Sequence, residues 1–385
     1  MLMLLCEKYI IFNENKTDMS INRRDWLKTA LLGSAAVTLS PLEFLAKSTP
    51  NFTELRNDDK TIRLCFNENP FGVSPKALEA MQKSLSLSSM YDFKFADTLS
   101  GKLGEKHNLK QENLLVSAGS SFLLELMIKY VSLEKGHFII PDPSFTIFEP
   151  IGEFLGMSKT VVPLNEQKRI DLNKMKSSIK KDTKLIYICN PNNPTGDLLS
   201  RNEIESFIKT VPENITILVD EAYIEFTNQK SLSDLVNTYN NLVVTRTFSK
   251  LYGFAGARLG YAIGNPKLIQ ELKKLQSWSG AEISIVTMAG AIAAMEDQEF
   301  ISKVLDTNQK VKDFTMSQFR KRGITTIPSS ANFVYFSLEN YKDNYFKKLK
   351  DAKILGGKTY EQKGKWTRIS LGTMEEMKVY FGAIS

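Results

Sequence analysis

The stretch TRTFSKLYGFAGARLGYAIG, residues 245–264, holds an amine, a hydroxyl and a guanidinium within ten residues: Ser249, Lys250 and, eight positions on, Arg258. Alone, Lys250 could be a solvated surface lysine. Its chemistry depends on what the rest of the chain supplies. Asp220 closes the apolar run ITILVD, where a carboxylate is costly without a partner. Tyr223 lies three residues further. Alone, Asp220 could equally be a helix N-cap. NPNNPTG, residues 190–196, follows another apolar run, and its Asn and Pro residues make a tight turn that fixes amide side chains such as Asn193. SAGSS, residues 117–121, joins a β-rich run to a helical one. Small residues there let backbone N–H groups and hydroxyls meet a phosphate at a helix N-terminus. The run is neither GxGxxG nor GxxxxGK[ST], which argues against nicotinamide dinucleotides and ATP.

Taken together these are one amine, one phosphate cradle with hydroxyls and a guanidinium, one carboxylate, one phenol and one amide. Pyridoxal phosphate (PLP) uses all five. A lysine forms its Schiff base, and a carboxylate keeps its ring nitrogen protonated. A phenol and an amide bind its ring oxygen, and Arg with hydroxyls holds its phosphate.

The elements that must position these groups alternate. Strand-like runs occur at 113–119, 137–145, 183–196 (a strand followed by a turn cluster), 215–223, 241–250 and 257–264, with helical patterns at 121–132 and 202–211 between them. Continuous apolar strands separated by helices indicate an α/β fold with a mostly parallel sheet covered on both faces. Ligands in such sheets bind at the carboxyl ends of strands, where every unusual cluster of this chain falls. From about residue 276 long helices precede ANFVYFSL and WTRISLGT, a smaller α+β C-terminal domain. The expected organisation is a signal or extension at 1–50, an arm at 51–75, a large cofactor-binding domain at 76–275 and a small domain at 276–385.

Bulk composition bounds the alternatives. The 385 residues are 42% hydrophobic and 24% charged, an ordinary globular balance. The net charge of +7 comes from scattered lysines, with no basic block alternating with aromatics, so nucleic acid is not an expected partner. Three widely spaced cysteines and two histidines supply no disulfide framework, no metal site and no Ser-His-Asp triad.

The ordered set of motifs resembles the fold-type I PLP-dependent aminotransferases of the histidinol-phosphate aminotransferase family, from NENPFGVSP (67–75) to WTRISLGT (366–373). The resemblance implies that Lys250 carries the cofactor and moves protons, with Asp220 on the pyridine nitrogen and Tyr223 and Asn193 on the ring oxygen. Gly119, Ser120, Ser121, Ser249 and Arg258 would hold the phosphate, and Phe145 would stack where the family usually has Tyr. Tyr91 would reach the phosphate across a homodimer interface. Arg368 would bind the substrate carboxylate, supported by Asn332. Asn69 lies in the segment that closes over substrate. Lys358 stands where relatives commonly carry a second arginine, and it offers a point charge rather than a planar fork. Small-molecule amino acids or amines and 2-oxo acids such as 2-oxoglutarate are the implied substrates. A decarboxylase of a phosphorylated amino acid would keep the same cofactor residues, and a non-catalytic exported binding protein would keep the scaffold.

Residues 19–46 place Arg23-Arg24 before Trp26, Leu27 and Lys28 and an uncharged run from Thr29 to Pro41. That run is too short to span a bilayer. The order is that of a twin-arginine export signal, which predicts a periplasmic or outward-anchored protein and a start at Met19 rather than Met1. The alternative is an amphipathic helix opening on basic residues, which leaves the enzyme cytoplasmic.

Overall fold

The computed structural model describes residues 61–385 apart from 277, 279, 340–343 and 362–364. The twin-arginine segment lies outside the described residues. Seven strands carry the site: β2 (Leu114–Ser117), β3 (His137–Asp142), β4 (Ser158–Pro163), β5 (Thr183–Cys189), β6 (Thr216–Asp220), β7 (Leu242–Thr247) and β8 (Gly260–Gly264). Their order in the sheet is β2-β8-β7-β6-β5-β3-β4. The five strands from β7 to β4 are parallel, and β8 is antiparallel to both its neighbours. The reversal at β8 has a local cause. A parallel neighbour needs a crossover, usually a helix. Residues 248–259 form turns instead, so the chain doubles back and leaves Lys250 and Arg258 on the loop at the sheet's edge.

Both faces of the sheet are buried, as the unbroken apolar runs require. Leu185, Tyr187 and Cys189 point to a core shared with Leu123, Leu124 and Met127 of the helix Ser120–Ser132. Ile186 and Ile188 point to the opposite core, with Ile204 and Phe207 of Arg201–Ile208 and Leu99 and Leu103 of Lys94–His107. Each fully buried aliphatic side chain contributes about 1.5–3 kcal/mol.

A second, antiparallel sheet has the order β12-β13-β10-β9, with β9 (Thr326–Ile327), β10 (Phe333–Ser337), β12 (Thr359–Tyr360) and β13 (Trp366–Ser370). Val334, Phe336 and Ile369 face a core with Phe319 of Gln298–Lys321 and Tyr380 of Met374–Ala383. Their alternates turn the other way. Register pairs Tyr335 with Arg368 and Phe333 with Ser370, which puts those four on the face presented to the site. β1 (Ile62–Arg63) pairs in parallel with β11 (Ile354–Leu355), anchoring the start of the arm.

Candidate active site

Asp220 ends β6, level with Cys189 on one side and Thr245 on the other. It is 1% exposed. Thr245 Oγ1 donates to its carboxylate at 3.1 Å and the Tyr187 hydroxyl at 3.3 Å. Burial pushes its pKa up to about 6, against these two bonds, the Ala222 amide and the charge of Lys250. Two hydroxyls do not replace lost hydration. The site calls for a cationic partner.

Lys250 follows β7 and is part-buried. Its Nζ donates to the Phe66 carbonyl at 3.0 Å and lies 5.6 Å above the Tyr223 ring centroid. Burial pulls its pKa down to about 8, helped by Arg368 and opposed by Glu68 and Asp220. Arg258, nearer in sequence than Arg368, acts in the same direction but less than Arg368 does. An amine that titrates near 8 is a usable base and nucleophile near neutral pH. Capture of pyridoxal phosphate by the cofactor-free protein should therefore accelerate with pH around a midpoint of about 8, followed by stopped-flow absorbance. A midpoint near 10.5 would mean that the amine is not depressed.

Tyr223 is buried beside Asp220 and meets Phe333 edge-on at 5.0 Å. Its hydroxyl accepts from Asn193 Nδ2 at 3.3 Å and from Asn67 Nδ2 at 3.0 Å. Arg368 donates to Asn193 Oδ1 and to the Cys65 carbonyl, while its Nε is buried with no partner. An orphaned, buried guanidinium N–H is what an arriving carboxylate would satisfy.

The third component is an anion cradle. Ser74, Ser200 and Thr373 each cap a helix with a side-chain hydrogen bond. The helix Ser120–Ser132 instead starts from Gly119, with φ of 100° and no side-chain cap, so its first amides remain available. Pairing of Ser117 and Thr247 with Gly260 brings the starts of both loops beside this helix end. Ser249 is buried, and its hydroxyl accepts from Thr247 Oγ1 at 2.9 Å. Arg258 crosses directly over Gly119: a Cβ there would sit 2.3 Å from Nη2. Gly119→Ala should weaken retention of pyridoxal phosphate at least about tenfold, because it combines that clash with a disfavoured φ. Equilibrium dialysis of the cofactor checks it, and unchanged affinity would mean that no phosphate lies on this helix end.

The remaining sequence-predicted residues divide. Phe145 follows β3 and is part-buried against the core of the helix Ser120–Ser132. Asn69 Nδ2 donates to the Leu251 carbonyl at 2.7 Å, fastening the arm to the lysine loop. Asn332, expected to support Arg368, donates instead to the carbonyls of Asn67 and Glu68 at 3.0 and 3.4 Å. It steadies the arm. Lys358 lies beside β12, with Nζ 5.5 Å from the Tyr360 centroid and its pKa lowered by burial and by Arg368. Tyr91 is 74% exposed and 4.9 Å from Trp278, on the surface of the chain.

Sequence reasoning missed Tyr187, Thr245, Asn67 and Ser370. For the first two a signal existed: each is a hydroxyl-bearing residue near the carboxyl end of an apolar strand flanking β6. Together, an open helix end with an arginine, a buried carboxylate and a depressed amine fit the phosphate, ring nitrogen and aldehyde of pyridoxal phosphate.

The sequence profile of the family described as aminotransferase class I and II matches residues 59–384. The chain is 34% identical over 294 residues to a histidinol-phosphate aminotransferase from Caldicellulosiruptor saccharolyticus, covering 76% of this chain and 81% of that one. It is 32% identical over 344 residues to histidinol-phosphate aminotransferase 2 of Legionella pneumophila, covering 88% and 93%. Among solved structures it is similar to histidinol-phosphate aminotransferase from Sinorhizobium meliloti in complex with pyridoxal-5'-phosphate. The TM-score is 0.78, with coverage of 91% of this chain and 97% of that one. At 24% identity that match speaks for the fold alone.

Proposed function

The chain belongs to the aminotransferase class I and II family, and from that premise we propose the roles of its site residues and the class of its substrates. It is a PLP-dependent aminotransferase of fold type I. When bound, the cofactor supplies an electron-accepting ring that stabilises negative charge at the substrate's α-carbon.

Asp220 would hold the proton on the ring nitrogen, which gives its buried carboxylate the cation it lacks. Lys250 would carry the cofactor covalently. Once a donor amine releases it, Lys250 would take the α-proton and return it at the cofactor carbon. Tyr223 and Asn193 would bind the ring oxygen, and Phe145 would cover the ring face. The amides of Gly119, Ser120 and Ser121 would hold the phosphate with Ser249 and Arg258. Tyr91 of the partner subunit would complete that site in a homodimer. Arg368 would take the donor's carboxylate or the acceptor's. The observation that carries this reading is the junction of a depressed Lys250 amine and a buried, underpartnered Asp220 on neighbouring strand ends.

The donor is an amino acid or an amine of the histidinol-phosphate kind, and the acceptor a 2-oxo acid such as 2-oxoglutarate. The names of the relatives support the first, and the Arg368 fork supports the second. A donor panel with and without a phosphate, assayed for glutamate formed from 2-oxoglutarate, tests it. Glutamate from at least one donor is expected. Release of carbon dioxide without glutamate would replace the aminotransferase with a decarboxylase.

The twin-arginine reading of residues 19–46 extends this to an exported enzyme, loaded with cofactor before it crosses the membrane. Fractionation of cells with and without a working twin-arginine translocase tests it. Equal cytoplasmic retention in both would overturn it.

A further inference from the structure

Asn67 belongs to a segment without regular structure, yet it is 1% exposed and held in left-handed backbone with φ of 54°. All its polar groups are used. Its amide N–H donates to Ser370 Oγ at 2.8 Å, and the Ser370 hydroxyl donates back to Asn67 Oδ1 at 2.8 Å. Its Nδ2 donates to the Tyr223 hydroxyl at 3.0 Å, and its carbonyl accepts from Asn332.

The bonds on this side share one polarity. The Ser370 oxygen accepts the Asn67 amide and its hydrogen goes to Asn67 Oδ1, so the nitrogen of the Asn67 side chain faces Tyr223. The same holds on the other side. Arg368 has only donors, so it fixes Asn193 Oδ1 and turns Asn193 Nδ2 toward Tyr223. The Tyr223 oxygen therefore accepts from two amides, and its single hydrogen is left for a third group.

We propose that Asn67 is a positioning residue for the transamination: with Asn193 it fills the acceptor side of Tyr223, directs the Tyr223 hydrogen to the ring oxygen of the bound cofactor, and makes that alignment depend on a seated arm. The inference rests on the cofactor reading above. Seating is local to the same segment. Cys65 receives Arg368, Phe66 receives Lys250, Asn67 holds Tyr223 and Asn69 holds Leu251, so one extended stretch contacts the proposed carboxylate-binding, amine and ring-oxygen groups.

The test is a pH titration of the visible absorbance of the holoenzyme, for wild type, N67D, N67G and Y223F. A hydrogen bond donated to the ring oxygen stabilises its deprotonated form, so losing that bond raises the midpoint. Asp and Gly both tolerate the left-handed backbone. N67D turns an acceptor toward Tyr223 and takes its hydrogen. Its midpoint should rise by about one pH unit, toward that of Y223F. N67G should rise less. The double variant N67D/Y223F should match Y223F alone, because both act through one hydrogen. Midpoints of N67D and N67G equal to wild type, with only a lowered melting temperature, would overturn the proposal. So would a double variant whose shift is the sum of the single shifts. A wild-type protein loaded with pyridoxal phosphate that shows no such absorbance would overturn the cofactor reading first, and this inference with it.

Discussion

Lys250→Ala should lower turnover by about four orders of magnitude or more, because it removes both the covalent attachment and the proton carrier. Lys250→Arg should be equally inactive: a guanidinium does not deprotonate in this range. The loss should be chemical rather than structural. The folded-state pKa of Lys250 is below its unfolded value, so the cost of its charge is present below pH 8 and is relieved as pH rises from about 8 toward 10.5. Removing the amine should therefore raise the melting temperature of the cofactor-free protein at pH 7, measured by scanning calorimetry. The Gly119–Arg258 cradle remains, so the variant should still bind pyridoxal phosphate, without the absorbance of the attached form. An inactive variant that is also unfolded would not support this account. A variant with more than about one per cent of wild-type turnover would remove Lys250 from its role.

Asp220→Asn is the second large effect. An amide cannot hold the ring nitrogen's proton by charge, so the ring loses its capacity to accept electrons, and turnover should fall by about three orders of magnitude or more. Stability should move in the opposite direction. The folded pKa of Asp220 is raised from 3.8 to about 6. Between those values the native state binds more protons than the unfolded state, so stability falls as pH rises through that window. Above pH 6 the full cost is present, about 3 kcal/mol at roughly 1.4 kcal/mol per unit. Asn keeps the shape: its Oδ1 still accepts from one of the two hydroxyls, and its Nδ2 donates to the oxygen of the other. The cofactor-free variant should therefore unfold at higher denaturant concentration than wild type at pH 8 and nearly the same at pH 4. Equal stability at both pH values would mean that Asp220 is not strained by its burial. A site residue that destabilises the empty protein is the expected trade between function and stability.

Much of the site was legible because its members sit where regular structure ends. Asp220, Asn193 and Lys250 each follow an apolar strand, and parallel strands deliver their carboxyl ends to one edge. The open N-terminus after SAGSS was legible for the same reason: small residues between strand and helix leave amides free. The direction of β8 was not, since a strand reads alike in both directions and the turn-rich loop before it carries no periodic signal. The arm was read as a lid and turns out to be wired into the site. Its contacts are made by an irregular segment through backbone carbonyls and the Asn67 and Asn69 side chains, and neither hydropathy nor spacing encodes them. The resemblance pairs Asn332 with Arg368. The register puts Arg368 opposite Tyr335, while the Asn332 amide reaches the carbonyls of the arm. Arg368, rather than the adjacent Arg258, is the stronger depressor of Lys250, a contact across 118 residues of sequence that no local motif announces.

Reductive trapping decides whether Lys250 carries the cofactor. The purified protein is loaded with pyridoxal phosphate, treated with borohydride to fix any cofactor–lysine imine as a secondary amine, digested and sequenced by mass spectrometry. The added mass of the reduced cofactor is expected on the peptide that contains Lys250, and its loss from that peptide is expected when a donor amino acid is added before the reductant. A label on a different lysine, or no label on a loaded and folded protein, would contradict it.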